Sequence, residues 1–546
     1  MDLDLAFRVN QPTALTDKSI SDDKREMKKW ERSNHTSLMV IKRVIPKTFQ
    51  GTIFDKATMT KGFLEDLEKR FVKNEKAETK KWLLPHVVIF PFMSKGHTIP
   101  VLHLARLLLH RGAAVTLFTT PANRPFISTA LFDTTVSIID LPFPQNIDGI
   151  PPGVESTDKL PDMSQWSRLA IAAKLMKPYF EKALNSLPRI SFMITDGFLG
   201  WTLESAQKFG IPRFVYYGMS NFSMALSFAV AQSRQLFIDM GSDNKKLFTI
   251  PSVPRIKFSR NDFDAVFVDP EYQNTEHSEY VSEQIQATGK SYGIIVNSFY
   301  ELESVYADYW SREIGPKAWC VGPLCLSAPP PQNKAENGQT RSWIQWLDGK
   351  QEEGKPVLYV AFGSQADISR EQIKQIKIGL EKSGVNFLWV VRNKQAEDDD
   401  GFQHRVRDRG LLVKEWVDQR EILEHSSVQG FLSHCGWNSV MESICAHVPI
   451  LAWPMMADQP LNAKMVVEEI EIGLRLEIFD GSGNGFVSWE HLEKMVKELM
   501  EGEMGKKVRK KVKEIGGAAA KAVAEGGSSW KALNELINEL HAETVK

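Results

Sequence analysis

The segment 86-HVVIFPFMSKGHTIPVLHLARLLLHRGAAVTLFTT-120 contains the clearest secondary-structure pattern in this 546-residue chain and indicates its fold class. Its first seven residues form a continuous apolar run rich in β-branched side chains, which is typical of a strand buried on both faces of a sheet. A helical pattern follows, with Pro100 near its start and Gly112 just past its end. A second strand is predicted over 113–120. Strand, helix and strand in this order form a βαβ unit, which implies a parallel sheet with right-handed crossovers.

The same alternation continues along the chain and restarts after a Pro-, Asn- and Gly-rich stretch at 325–342, which we interpret as a linker between domains. Ser369 with Gln372 predicts a capping box for a helix that runs through Leu380, and further helices are predicted from about Asn438 and over 461–470. Two α/β halves are therefore expected, with ligands in the cleft at the carboxyl ends of their strands. The further predicted strands are 192–198, 213–218, 293–299, 356–364, 386–392, 428–434 and 448–454.

Composition excludes several classes of protein. The chain is 42% hydrophobic and 25% charged with a formal net charge of -1, so neither nucleic acid nor an acidic membrane surface is expected as its partner. No apolar run reaches roughly 18 residues, the length of a membrane-spanning helix, and the N-terminus lacks the basic start of a signal peptide. Its four cysteines include no CxxC pair and predict neither a disulfide framework nor a zinc site. We expect a cytoplasmic, metal-free monomer.

Chemically distinct side chains crowd into residues 416–459, near the ends of predicted strands and the starts of helices. Trp416 offers a flat face to a nucleobase, although most such tryptophans only pack. Gly436 permits a close backbone approach, and the N–H groups that follow it at the predicted helix start suit an anion. Asn438 and Ser439 serve equally well as ordinary helix caps. Taken one by one, these residues leave the function open.

Together they resemble the signature box of the plant family-1 UDP-glycosyltransferases. The matching residues have unlike side chains at fixed spacing, so the resemblance is specific. It covers nearly the whole chain from about residue 82 and implies the GT-B fold, in which two Rossmann-like domains face each other across a cleft. The matching pieces are W-V-D-Q (416–419), G-F-L-S-H-C-G-W-N-S (430–439), Glu442, V-P (448–449), W-P (453–454) and D-Q (458–459).

The resemblance implies a site for a UDP-sugar, the co-substrate of the reaction, and a glutamine at the last position of the box is usual in enzymes that use glucosyl donors. Ser364, in the turn after a strand of the second half, matches a further position that contacts phosphate. The residues implied by the box are Trp416 against uracil with Val417 beside it, Gln419 and Glu442 at the ribose, His434, Trp437, Asn438 and Ser439 at the diphosphate, and Asp458 and Gln459 at the sugar.

Two positions depart from the family pattern. Asp418 stands where proline is usual, and His447 stands where glycine commonly precedes V-P. Neither is expected to contact the donor. His447 places a bulky side chain at a turn, so the backbone geometry of that turn is open.

A candidate catalytic pair lies upstream. An inverting sugar transfer needs a base, and histidine suits the task because its pKa lies near neutrality. His97 follows the first strand, and on its own a histidine in a predicted loop is more often incidental. The pattern PF-x-x-x-GH-x-x-P around it resembles the N-terminal motif of the same family, whose histidine is the general base. Asp196, at the end of another predicted strand, matches the aspartate that orients the imidazole.

No metal is expected in this reaction, because helix N–H groups and His434 would stabilise the leaving diphosphate. The acidic run 397-EDDD-400 resembles a metal-binding DxD motif only superficially, and a polar loop is the more economical interpretation.

Residues 1–81 do not belong to the glycosyltransferase pattern. Residues 26–80 resemble the gag-type segment of copia-like retrotransposon polyproteins, through W-E-R-S-N and the run FLEDLEKRFVKNEKAET. The alternatives are an RNA-binding or self-association module and a fused segment without a catalytic part, and we favour the second. The predicted organisation is a mainly helical, dispensable extension (1–81), an acceptor-binding domain (82–324), a linker (325–342), a donor-binding domain (343–525) and a helix (526–546) that packs back on the first domain.

The predicted function is transfer of a sugar, most simply glucose, from a UDP-sugar to a hydroxyl of a small apolar or aromatic acceptor. A nicotinamide oxidoreductase is disfavoured because G-x-G-x-x-G is missing after the first strand. A catalytically silent binding protein is disfavoured because His97, Asp196 and the donor box occur in one chain. The acceptor pocket is expected around 142–161 and 218–228, and its ligand stays undetermined.

Overall fold

The computed structural model describes residues 26–31, 34, 85–232, 244–250, 253–269, 272, 275–327, 341–366, 368–391, 401–477 and 486–544. The chain forms two compact units, 1–83 and 84–546. In the first unit the described residues are a short helix over 26–31 and residue 34. Most of the gag-like segment, the middle of the predicted linker and the acidic run 397–400 therefore lie outside the described residues.

Among the described residues of the second unit, seven parallel strands form one sheet in the order β3-β2-β1-β4-β5-β8-β9. The apolar run that begins at His86 does form a strand, and its side chains from Val87 to Phe90 have no solvent exposure. The strands are β1 His86–Phe90, β2 Ala114–Thr119, β3 Ser137–Asp140, β4 Phe192–Asp196, β5 Arg213–Tyr217, β8 Gly293–Val296 and β9 Ala318–Cys320, and an antiparallel pair is formed by β6 Phe248–Ile250 and β7 Val253–Phe258.

Helices connect these strands and cover the sheet, as parallel pairing requires. They are Lys95–His110, Arg124–Ala130, Trp166–Ala172, Lys177–Leu184, Thr202–Phe209, Asn221–Gln232, Ala265–Val268, Glu276–Gly289 and Tyr300–Tyr309.

A second parallel sheet in the described ranges has six strands in the order β12-β11-β10-β13-β14-β15. Its strands are β10 Val357–Ala361, β11 Asn386–Val390, β12 Gly410–Val413, β13 Val428–Ser433, β14 Ile450–Ala452 and β15 Gly473–Arg475. Its helices are Ser342–Glu352, Arg370–Ser383, Phe402–Val406, Gln419–Leu423, Trp437–Cys445, Gln459–Lys464, Trp489–Glu501 and Glu503–Val523, and the helix Ser528–Thr544 follows them.

Both sheets reverse their strand order at the first strand of each half. In the first sheet β1 lies between β2 and β4, and in the second β10 lies between β11 and β13. At such a switch point the two crossover connections leave on opposite faces and open a crevice at the carboxyl ends of the strands. The predicted α/β fold with two Rossmann-like halves is confirmed.

Two local predictions needed correction. The helix after β1 begins at Lys95 and carries Pro100 in its second turn, so His97 lies on a helix and not in a loop. Ser369 does cap its helix, because its Oγ accepts from the Gln372 N–H at 3.2 Å. The Gln372 side chain, however, exchanges two hydrogen bonds of 2.9 Å with the backbone of Val487. A tertiary partner therefore takes the group that a capping box would have used.

The last helix lies against the first sheet. Leu533 and Leu536 are buried in the same apolar cluster as Val87 and Ile89 of β1. The Arg111 guanidinium lies 5.0 Å from the Trp530 ring, within cation–π range. The helix 528–544 thus returns to the half of the chain that contains β1.

Candidate active site

The switch point of the first sheet brings His97 and Asp196 together. His97 lies in the first turn of the helix after β1, and Asp196 is the last residue of β4, the neighbour of β1. His97 Nδ1 lies 2.7 Å from Asp196 Oδ2, and Asp196 Oδ1 accepts from the Phe198 N–H at 3.0 Å. The carboxylate is fully buried, whereas the imidazole side chain retains 18% exposure. The pair therefore presents only its histidine end to the cleft.

Three influences decide the pKa of His97. Burial disfavours the charged imidazolium, but the Asp196 carboxylate opposes this through its charge and its hydrogen bond. The negative charge of Asp458, from the other half of the chain, acts in the same direction. The result is a pKa of His97 raised above the ordinary value of 6.5.

Aromatic rings surround the imidazole. The centroid of the His97 ring is 5.8 Å from that of Phe92 and 5.3 Å from that of Phe198, and Trp166 lies 5.3 Å from Phe198. Gly218 also lies beside this ring, since a Cβ at this position would be 3.6 Å from His97 Nε2, an ordinary van der Waals distance. The imidazole therefore has flat apolar rings as its neighbours.

The switch point of the second sheet holds His434, which follows β13, and Ser364, which follows β10 in a partly buried turn. Two glycines make room for the imidazole of His434. A Cβ at either Gly363 or Gly436 would lie 2.6 Å from His434 Nε2, and Gly363 also has a φ of 73°. A side chain at either position would therefore displace this ring, and Gly363 also occupies a conformation that favours glycine.

Trp416 is 61% exposed, so its indole is accessible from solvent. Val417 beside it is buried in the core. Asp418, the first departure from the family pattern, caps the helix Gln419–Leu423 by accepting from the Arg420 N–H at 3.1 Å. The aspartate therefore starts this helix through a side-chain cap, where proline would do so through its fixed φ.

The side chain of Gln419 contacts two other residues that are predicted to bind the UDP-sugar. Its Nε2 donates to Ser439 Oγ at 2.8 Å and to Glu442 Oε2 at 2.7 Å. Burial raises the pKa of Glu442 to about 7, and the hydrogen bond from Gln419 limits this increase. The three side chains form one connected network at the start of the helix Trp437–Cys445.

The first two residues of this helix contact the other half of the chain. Trp437 Nε1 donates to the Asn297 carbonyl at 2.8 Å, and Asn438 Oδ1 accepts from Asn297 Nδ2 at 3.2 Å. Asn438 Nδ2 donates to the carbonyl of Gly96, the residue before His97. The two switch points therefore face each other closely enough for direct hydrogen bonds.

Asp458 and Gln459 follow β14 at the mouth of the cleft. Burial raises the pKa of Asp458 to about 6, opposed by a hydrogen bond from Asn462 and by the charge of His97. Gln459 Oε1 accepts from the N–H groups of Met455 and Met456 at 2.9 and 3.0 Å. These bonds fix the orientation of its amide.

His447, the second departure, has a φ of 62° in the turn after the helix Trp437–Cys445. This left-handed conformation explains why glycine is common at the position. The imidazole lies against Gly516 of the helix Glu503–Val523, where a Cβ would overlap it. Residue 447 is a histidine in this chain, and its imidazole has room to pack because residue 516 is a glycine.

Sequence reasoning missed two residues of the cleft. Asn297 was assigned to a predicted strand, but β8 ends at Val296 and Asn297 is 2% exposed. Gln365, next to Ser364, donates from Nε2 to Ser94 Oγ at 3.1 Å and to Thr157 Oγ1 at 2.5 Å. For Asn297 the available signal was a polar residue directly after an apolar run, and for Gln365 it was a polar side chain in the short turn that follows β10.

The expected acceptor segment 218–228 is largely core. Its residues from Ser220 to Leu226 are buried, and Phe222 and Leu226 contact the main apolar cluster of the unit. Only Gly218 and Met219 retain partial exposure near His97. Apolar side chains line both pockets and cores, so the sequence pattern by itself does not distinguish the two.

In the parts of the chain that the structure describes, no group of three or more His, Cys, Asp or Glu side chains is arranged to hold a metal ion. None of the helices in the same ranges combines the length and apolarity that a bilayer crossing requires.

The fold and the site define a glycosyltransferase of the GT-B class. The structure superposes on UGT73P12 of Glycyrrhiza uralensis, complexed with glycyrrhetinic acid 3-O-monoglucuronide, with a TM-score of 0.74 and 30% identity over 85% of this chain and 96% of that chain. UGT2 of Phytolacca americana, complexed with UDP-2fluoro-glucose and pterostilbene, matches with a TM-score of 0.69 and 29% identity over 84% and 100% of the two chains.

The sequence matches agree. Residues 273–514 match the family described as UDP-glucoronosyl and UDP-glucosyl transferase. UDP-glycosyltransferase 90A1 of Arabidopsis thaliana is 55% identical over 83% of this chain and 96% of its own length. UDP-glucose flavonoid 3-O-glucosyltransferase 7 of Fragaria ananassa is 35% identical over 85% and 98%. The chain belongs to the plant family-1 UDP-glycosyltransferases, enzymes of the EC 2.4.1 kind that use UDP-sugars and small acceptors.

The close approach of Gly436 to the imidazole of His434 leads to a testable prediction. Gly436→Ala places a Cβ against Nε2, so the ring must move. Because the signature box implies that His434 contacts the diphosphate, we expect UDP binding to weaken by about tenfold or more, the size of one lost hydrogen bond to a charged group. Isothermal titration with UDP measures the effect. Gly349→Ala is the matched control, because a Cβ there meets no atom within 4 Å. Equal UDP affinity in both variants would contradict the steric argument.

Proposed function

We propose that this enzyme transfers glucose from UDP-glucose to a hydroxyl of a small aromatic or apolar acceptor, with inversion at the anomeric carbon and His97 as general base. The 2.7 Å contact between His97 Nδ1 and Asp196 Oδ2 carries the proposal. The carboxylate accepts a hydrogen bond from Nδ1–H, so in the neutral imidazole the lone pair that can take up a proton is on Nε2.

The proposed step transfers one proton and replaces one carbon–oxygen bond at the anomeric carbon by another. The acceptor hydroxyl gives its proton to His97 Nε2 while its oxygen forms a bond to the anomeric carbon. The bond between that carbon and the diphosphate oxygen breaks, and its electron pair leaves with UDP. Asp196 stabilises the imidazolium, and inversion follows because the attacking and leaving oxygens lie on opposite faces of the sugar.

The donor is proposed to lie along the second sheet. Uracil stacks on the exposed indole of Trp416 next to Val417, and the ribose contacts Gln419 and Glu442. The diphosphate lies at the start of the helix Trp437–Cys445, where free N–H groups and the helix dipole favour an anion. The proposed diphosphate ligands are Ser364, His434, the Trp437 backbone, Asn438 and Ser439.

Glucose is proposed as the sugar, bound by Asp458 and Gln459. The Gln459 carbonyl oxygen is held by two backbone N–H groups, which turns its Nε2 donor towards other acceptors such as sugar hydroxyls. The complex of the Phytolacca americana enzyme with UDP-2fluoro-glucose supports the same donor.

The acceptor is proposed to lie against Phe92, Trp166 and Phe198, the rings near His97 Nε2. Flat apolar groups stack favourably on such side chains. Pterostilbene and quercetin, bound by related enzymes of Phytolacca americana and Arabidopsis thaliana, are molecules of this kind. We further propose that residues 82–546 are sufficient for catalysis. The enzyme is proposed to act in the cytoplasm and as a monomer.

A panel assay tests donor and fragment together. The whole chain and its 82–546 fragment are incubated with UDP-glucose, UDP-galactose or UDP-xylose and a set of flavonoid and stilbene acceptors. UDP-glucose should be used fastest by both proteins, at equal rates. Faster use of another sugar would reject the glucose assignment. An inactive fragment would show that residues 1–81 contribute to the enzyme.

The pH profile tests the base. His97 must be neutral to accept a proton, so kcat/KM should fall as pH decreases through a pKa above 6.5. Asp196→Asn removes the charge that raises this pKa while burial remains, so the acidic limb should move to lower pH as the rate drops.

His97→Ala should reduce kcat by about 10²–10⁴-fold, the usual contribution of a general base, with UDP affinity nearly intact. Equal loss of turnover and UDP binding, or an acidic limb that does not move in Asp196→Asn, would contradict the assignment.

Stacking on Trp416 has its own test. Trp416→Ala should weaken UDP binding by about 1–3 kcal/mol, the value of one base–aromatic stack, as measured by titration calorimetry. Phe132→Ala is the control, since Phe132 is 75% exposed and lies in the half that contains the first sheet. Unchanged UDP affinity in Trp416→Ala would show that uracil binds elsewhere.

A further inference from the structure

We propose that Asn297, which lies far in sequence from the donor segment, is a positioning residue for donor binding. It holds the side-chain amide of Asn438 so that Nδ2, the hydrogen-bonding NH₂ group, is directed to the proposed diphosphate site. The inference rests on the role proposed above for Asn438. It adds a residue from the acceptor half of the chain to the donor site.

The polarity of the contacts leaves one orientation for each amide. The Leu324 N–H can only donate, and it lies 2.8 Å from Asn297 Oδ1. The other end of the Asn297 amide is therefore Nδ2, and it donates to Asn438 Oδ1 at 3.2 Å. Asn438 must in turn direct its Nδ2 away from Asn297.

The Asn438 Nδ2 group finds an unusual partner. It donates to the Gly96 carbonyl in the first turn of the helix Lys95–His110. In a regular helix this carbonyl would accept from the N–H four residues later, but that residue is Pro100, which has no N–H. Pro100 thus leaves a carbonyl available to the other half of the chain, directly beside His97.

Asn297 is well suited to hold this orientation. It is 2% exposed, and its own carbonyl accepts from Trp437 Nε1 at 2.8 Å. Gly322 approaches so closely that a Cβ there would lie 2.6 Å from Asn297 Oδ1. One residue therefore contacts both Trp437 and Asn438, the first two residues of the helix at the proposed diphosphate site.

The proposed consequence concerns the donor complex. A diphosphate oxygen is a stronger acceptor than a backbone carbonyl because it is charged. When the donor binds, Asn438 Nδ2 exchanges the Gly96 carbonyl for a diphosphate oxygen without rotating its amide, because Asn297 still holds Oδ1. The amide is oriented before binding, and no reorientation cost opposes it.

Asn297→Asp tests this closely. Aspartate has the same shape and still accepts from the Leu324 N–H, but it cannot donate to Asn438. The Asn438 amide should then turn to donate to the introduced carboxylate and present Oδ1 to the diphosphate. We expect the Kd for UDP and the KM for the UDP-sugar to rise about tenfold or more, with a smaller change in kcat. Asn185→Asp, at an exposed position, is the control.

A double-mutant cycle separates positioning from general structural damage. In an Asn438→Ala background, Asn297→Asp should change the Kd for UDP by less than about twofold, because the amide that it orients is gone. An equal increase in both backgrounds, or no increase in either, would overturn the proposal. If Asn438→Ala alone leaves UDP affinity unchanged, the proposed diphosphate role of Asn438 fails, and the inference fails with it.

Asn297→Ser provides a second variant that avoids a buried charge. It shortens the side chain and removes the bond to Asn438, so the amide is no longer held in either orientation. We expect a rise in the KM for the UDP-sugar smaller than that of Asn297→Asp, with thermal unfolding close to that of the unmodified enzyme. A rise equal to that of Asn297→Asp would contradict the orienting role.

Discussion

The reversal of strand order at β1 and at β10 is the constraint on which the site depends. Parallel strands end at the same edge of a sheet, and a reversal opens that edge between two connections. In the first half the reversal places Asp196 of β4 beside His97, which follows β1. In the second half it places His434 beside the turn that contains Gly363. Each half therefore contributes its polar groups at one crevice.

Hydrogen bonds across the cleft bring the two crevices together. Gln365 of the second half donates to Ser94 and Thr157 of the first, and Asn438 donates to Gly96. These are contacts between polar groups at the edge of the cleft and not part of an apolar core. Such contacts are more easily exchanged for ligand or water than buried apolar surface is.

Backbone geometry accounts for the positions where the chain departs from its family. The turn at His447 has a positive φ, so a histidine there carries some conformational cost. The absence of a side chain at Gly516 gives its imidazole a place to pack. Asp418 stands where proline is usual, and its side chain caps the helix that begins at Gln419.

Much of this protein was readable from its sequence, because the signals are local. Continuous apolar runs specify buried parallel strands, and β1 and β4 were predicted within two residues of their observed ends. Spacing within the donor segment, with His97 and Asp196 upstream, was sufficient to indicate the family. These features can be predicted without knowledge of the tertiary packing, because each depends on residues that are near in sequence or on a pattern that a family shares.

Tertiary structure alone decided the partners. Gln372 bonds to Val487 and not to its own helix start, and the apolar residues around Phe222 fill a core and not a pocket. The use of Asn297, and of the carbonyl that Pro100 leaves free, also depends on which loops meet across the cleft. Hydrogen-bonding capacity is visible in a sequence, but the group that satisfies it is set by distances between segments that only the folded chain brings together.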